Sequence, residues 1–108
     1  MGQYHKVYNI DKREVINGHG IGNGLKLLEQ VGFDTSTSTA LFFLLANSNG
    51  RGGGDAEDHE MIGRWAGDRV VIQGDYAEPG DQSYISNTEQ YIDISPEVAY
   101  MLRVTMGA

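Results

Sequence analysis

Cysteine does not occur anywhere in this chain of 108 residues. Its absence excludes a disulfide frame, a thiolate metal site and a cysteine nucleophile, and it suits a reducing compartment. Long apolar runs are missing as well. The longest, from Ala40 to Ala46, falls far short of the ~20 residues that span a bilayer. The opening residues "MGQYHK" are polar and do not read as a signal peptide. Lys6 stands where a myristoylation motif built on Gly2 wants Ser or Thr. The expectation is a cytoplasmic protein with no membrane partner.

Positive charge is scarce, with eight basic residues against fifteen acidic ones and a net charge of −7. Phosphate neutralisation by Lys and Arg supplies most of the affinity for long nucleic acids, so no such partner is expected. Lysine stops at Lys26, beyond which the only bases are Arg51, Arg64, Arg69 and Arg103. Arginine holds phosphate or carboxylate with a planar fork that lysine cannot imitate. Ordinary surface ion pairs with the nearby acids are the competing use of these arginines. Hydrophobic residues make up 40% of the chain, enough for one thin core in a chain of single-domain length. Oligomerisation would widen a narrow stability margin, and a homodimer is expected.

Local patterning predicts the elements. "YHKVYNI" (4–10) and "REVIN" (13–17) read as β-strands of a hairpin joined at Asp11-Lys12. Glycines 18, 20, 22 and 24 lead into "LKLLEQV" (25–31), whose leucines sit at helical spacing before Gly32. "DTSTST" supplies N-cap candidates for "ALFFLLANS" (40–48), expected to be a helix buried on nearly every side. "DRVVIQGDY" (68–76) is the clearest strand. "QYIDI" (90–94) reads as another, with Tyr91 and Asp93 on one face and Ile92 and Ile94 on the other. In "SPEVAYMLRVTM", Ser95 is an N-cap, Pro96 takes the first helical position, and Val98, Met101 and Leu102 form one stripe. The order predicts a single α+β domain over residues 1–108, a small antiparallel or mixed sheet of about four strands covered by about three helices.

The motifs fail the standard templates. Glycines 18 to 24 miss the dinucleotide fingerprint, because Asn23 and Leu25 stand where its third glycine belongs. "NGRGGGDAEDHE" (49–60) lacks the Lys-Ser/Thr close of a phosphate loop and matches no calcium loop. Gly52, Gly53 and Gly54 permit close backbone approach to a ligand and can form either a gated lid or a linker. Asp55, Asp58 and His59 form a weak candidate metal set; no cofactor is expected. In "GRWAGDRVVIQGDY", the single tryptophan, Trp65, lies between Arg64 and Arg69. Trp65 could stack a base while the arginines take its phosphate, or it could plug a core or an interface. Asp68 and Asp75 cannot share one active site on a straight strand, since seven steps separate them by ~23 Å. No nucleophile–base triad is legible, and no catalytic residue is assigned.

Taken together, "MGQY", "NIDKREV", "GNGLKLLEQ", "NGRGGGD", "GRWAGDRVVIQGDYAE" and "YIDISPEV" make the chain resemble a family of small uncharacterised proteins from phages, bacteria and some lower eukaryotes. The resemblance covers most of the chain. It implies no activity and transfers no catalytic residue. It marks Arg51, Asp55, Arg64, Trp65, Asp68, Arg69, Asp75 and Tyr76 as part of the family's pattern. It also implies a phage or host-interaction setting, the cytoplasm then being that of the host.

Three functions are compatible with these residues. The first is a non-enzymatic protein that captures a small anionic, nucleotide-like ligand, such as a phage sponge or anti-defence protein. There Arg51, Arg64 and Arg69 hold phosphate, Trp65 or Tyr76 stacks a base, Gly52–Gly54 form a lid, and Asp55, Asp68 and Asp75 complete the site. The alternative is an acidic interaction module that blocks a host protein. The third is a metal-assisted phosphate-ester hydrolase using Asp55 and His59.

Overall fold

The structure, a computed structural model, describes residues 4–21, 36–47 and 59–106. Strands β1 (His5–Asn9), β2 (Glu14–Asn17), β3 (Val70–Gly74) and β4 (Ile92–Asp93) form one sheet in the order β3-β1-β2-β4. The β1 strand runs antiparallel to both β2 and β3, whereas β2 and β4 are parallel, so the sheet is mixed. Helix α1 (Gly18–Ile21) is a single turn that follows β2, and α2 (Thr37–Leu45) and α3 (Ser95–Met106) are the longer helices. The class is α+β, as the element order implies. Of the three covering helices expected, two longer than one turn occur among the described residues. The one expected over 25–31 lies outside them.

The hairpin forms as the two β-rich runs dictate. Its registered pairs extend from Lys6 with Asn17 to Asn9 with Glu14. The turn needs one residue in the left-handed region, which Arg13 supplies at φ 56. The expected strand over 68–76 is trimmed at both ends. Asp68 and Arg69 are engaged by side chains of the hairpin turn, and Asp75 begins the next turn. The expected 90–94 strand shortens to Ile92–Asp93, preceded by a 3₁₀ turn at Thr88–Gln90. Ile92 and Ile94 do not share an environment. Ile94 is buried beyond the strand end, while Ile92 lies exposed on it.

Because side chains alternate along a strand, the sheet has two distinct faces. Val7 and its cross-strand partner Ile16 point to the helices and meet Ala40, Leu44, Trp65, Ile94, Val98, Met101 and Leu102. The predicted α3 stripe of Val98, Met101 and Leu102 therefore lies in the main core. The helix starts where expected, but Ser95 does not act as its cap. Its hydroxyl accepts from the Asn17 N–H at 2.7 Å, and Asp93 accepts from the Ser95 N–H at 2.8 Å. On the opposite face Tyr8, Val15 and Ile85 form a second, smaller cluster, closed by Tyr91 edge-on to Tyr8 with ring centroids 5.3 Å apart.

Helix α2 departs from expectation. Ala40 and Leu44 are buried, but Phe42 is 81% exposed and Leu45 is 37% exposed, so the helix is not buried all round. Its C-terminal carbonyls are taken by the segment that follows residue 58. Gly63 N–H donates to Phe43 O and Trp65 N–H to Leu44 O, each at 2.9 Å. Gly63 has φ +88, and a Cβ there would stand 3.0 Å from the Ala46 carbonyl oxygen. Both facts demand glycine at this position.

Candidate functional site

The "GRWAGDR" motif (63–69) locks onto the hairpin turn. Arg64 clasps the Glu14 carboxylate with two nitrogens, and the Trp65 indole N–H donates to Glu14 Oε1 at 2.8 Å. Lys12 pairs with Asp68, and Asn9 donates to the same carboxylate oxygen at 2.9 Å. Arg69 forks onto Asp11 Oδ1, while the Arg69 N–H donates to Asp11 Oδ2 at 2.7 Å. The turn sequence Asp11-Lys12-Arg13-Glu14 thus meets Arg69, Asp68 and Arg64 in reverse order. Three opposite-charge pairs close the seam.

These contacts set the acidities. Burial would raise the Glu14 carboxyl, but hydrogen bonds from Arg64 and Trp65, with the charges of Arg64 and Lys12, outweigh it and hold it below its ordinary value. The Arg69 hydrogen bonds lower Asp11 in the same sense. The Lys12 and Asn9 hydrogen bonds lower Asp68.

The residues expected to hold a ligand are therefore partitioned. Arg64 and Arg69 are each occupied by a carboxylate, and Asp68 by a lysine. Trp65 has no exposed surface, so it plugs the core and offers no ring face for a base to stack on. Arg51, Gly52, Gly53, Gly54, Asp55 and Asp58 lie outside the described residues. Among the described residues no group of three or more His, Asp or Glu is placed to hold a metal. His59 Nδ1 accepts from the Met61 N–H at 3.1 Å. Asp75 and Tyr76 lie at the far end of β3 from Asp68 and Arg69. Tyr76 is 60% exposed.

A different constellation forms on the sheet face turned away from the helices. Register places Gln73, Lys6 and Asn17 side by side in one cross-strand row. The next row along the strands is Val71, Tyr8 and Val15, beside Asp93. A strap formed by the chain between β3 and β4 crosses the apolar row, where Ile85 and Tyr91 pack on Tyr8 and Val15. Gln73 fastens this strap. Its Nε2 donates to Ile85 O at 3.0 Å, and its Oε1 accepts from the Ile85 N–H at 2.8 Å.

The polar row, beside the strap, is only partly covered. It forms the floor of a pocket of about 470 Å³ walled by Tyr4, Asp75, Ala77, Tyr84, Ser86 and Thr88. A second hollow of about 250 Å³ continues past Lys6 and Tyr8 toward Glu89, Tyr91 and Asp93. Lys6 lines both hollows. It is exposed, and no carboxylate among the described residues pairs with it. Among the described residues, Asp75 is the one predicted site residue that lines the main pocket. Its Oδ1 accepts from the Tyr4 N–H at 3.1 Å.

Lys6, Tyr8, Asn17 and Gln73 were not singled out by sequence reasoning. The strand alternation in "YHKVYNI" does place Lys6 and Tyr8 on the face opposite Val7. What the pattern lacks is any sign that residues 76–91 fold back across that face. Comparison of the chain with protein-family models, with curated protein sequences and with solved structures gives no match.

Proposed function

We propose that the chain is a non-enzymatic binding protein that captures a small ligand through an anionic group seated on Lys6. One observation carries the reading. Lys6 is exposed on the floor of a pocket of about 470 Å³ with no carboxylate partner among the described residues. The arginines of the 63–69 segment are already committed. Ligand sites are concave spaces of roughly 300–1,000 Å³ with a few placed polar groups, and this hollow falls within that range. Tyr4, Tyr8, Tyr84, Ala77 and Ile85 supply its apolar surface. Ser86 and Thr88 supply hydroxyls that can donate to the same anion.

This retains the expectation of a small anionic ligand and moves its site from the arginine–tryptophan segment to the sheet face. Calorimetry and thermal shift against mono-, cyclic and dinucleotides, aromatic carboxylates and amino acids test it, with Lys6→Gln beside the wild type. At least one class should bind, and Lys6→Gln should weaken it tenfold or more while leaving Tm within a degree or two, because an exposed lysine without a pair contributes little to stability. Silence across the panel, or binding indifferent to Lys6→Gln, overturns the reading.

A further inference from the structure

Lys6 does not stand alone in its pocket, and the second charge narrows the ligand. Asp75, the first residue beyond β3, lines the same hollow. Lys6 pairs with Gln73 in the sheet register, and Tyr4 accepts the Asp75 N–H at 2.9 Å two steps further along. Lys6 and Asp75 therefore stand at the same end of the β1–β3 pair and line one hollow. Despite this proximity they form no direct ion pair among the described residues. One Asp75 oxygen accepts from the Tyr4 N–H. The other has no hydrogen-bond partner among the described residues.

From this geometry we infer that the ligand is an α-amino acid with a large apolar side chain. The inference rests on the anion-binding reading above and adds a second recognition point to it. The α-carboxylate lies against the Lys6 ammonium and the α-ammonium against the Asp75 carboxylate. The two ligand charges are joined through a single carbon, so one small group can meet both of the charged residues that line the hollow.

Electrostatics decides between this ligand and a phosphate. Asp75 stands at one end of the groove, and Glu89 and Asp93 line the hollow at the other. A multiply charged phosphate would meet like charge on both sides with a single lysine to hold it, and such juxtaposition is costly. A zwitterion satisfies both protein charges and adds no net charge to a chain already at −7. Its side chain has the tyrosine rings and Ile85 to pack against.

The test compares L-tryptophan, L-phenylalanine and L-leucine, each in free, N-acetylated and C-amidated form, by calorimetry on wild type, Lys6→Gln and Asp75→Asn. The free forms should bind, and both N-acetylation and C-amidation should weaken binding at least tenfold. Asp75→Asn should abolish the preference for the free over the N-acetylated form. Lys6→Gln should abolish the preference for the free over the amidated form. Asparagine keeps an oxygen to accept the Tyr4 N–H, so an unchanged Tm checks that the fold survives. If the N-acetylated acids bind as tightly as the free ones and lose binding with Lys6→Gln, the zwitterion inference is wrong and the anion site stands. If nucleotides bind in a Lys6-dependent way and no amino acid does, the outcome is the same. If neither amino acids nor any other anion binds, both fall.

Discussion

Glu14 is the residue on which the hairpin and the following segment converge. It sits on the helix-facing side of β2, is 6% exposed, and accepts from both Arg64 and the indole of Trp65. A carboxylate in such a place is tolerated because both oxygens are occupied by donors, one of them charged. Glu14→Ala would remove the acceptor from a fully buried indole N–H, and an orphaned buried donor costs about 1–3 kcal/mol. Trp65→Phe deletes the donor but leaves a void in the main core, so it too should lower stability, with urea unfolding as the measure. Neither should change the affinity of ligands at Lys6, since Trp65 packs on the opposite face of the sheet with Val7 and Ile16. A large loss of binding in a folded Trp65→Phe protein would put the ligand site on the helix-facing side of the sheet instead. The Asp11–Arg69 pair is different in kind. Its arginine side chain is 73% exposed, and solvent screening leaves such a pair with little effect on stability.

At the scale of elements, the pocket exists because the strap covers one row of the sheet and leaves the next only partly covered. Gln73 is the only described side chain joined by two hydrogen bonds to the strap backbone, at Ile85. Gln73→Leu would break both and leave the Ile85 N–H and C=O to solvent. Hydrogen exchange should then quicken at Ile85 and its neighbours, with little change in α3, whose stripe lies in the other core. Uniform acceleration across the whole chain would instead make the strap part of the global folding unit. Much at this scale was legible in sequence. The hairpin, β3 and α3 follow from alternation, β-branched runs and a Ser-Pro helix start, all local signals. The exposed face of α2 was not legible. Apolar residues at every angle of "ALFFLL" do not say which of them the sheet and α3 will cover. The partners of the 63–69 charges were not legible for a related reason. An Arg-Trp-Arg-containing segment reads alike whether its charges await a ligand or a turn more than fifty residues earlier, and here Asp11, Lys12 and Glu14 supply the partners.

For the whole molecule, two electrostatic effects oppose each other as pH falls. The net charge of −7 repels itself, so partial neutralisation relieves the folded state. The local seam works the other way, because Glu14, Asp11 and Asp68 all lie below their ordinary values of 4.5, 3.8 and 3.8. A carboxyl depressed by folding binds protons more readily in the unfolded chain. Its stabilisation is complete above the unfolded value and drains away as pH drops through the native one. The long-range term is screened at ionic strengths near 0.15 M, where the Debye length is about 8 Å, while hydrogen-bonded contact pairs are screened far less. Between about pH 7 and 5, Tm should therefore be nearly flat in physiological salt and should rise slightly on acidification at low salt. Below about pH 4.5 it should fall at either ionic strength, as the seam carboxylates take up protons. Glu14→Gln should start from a lower Tm and fall less steeply, having already lost one of the three titrating groups. Thermal scans at two salt concentrations from neutral to acid pH make the comparison. A wild-type Tm that keeps rising below pH 4 would mean that self-repulsion, and not the seam of charges at the hairpin turn, governs the stability of this fold.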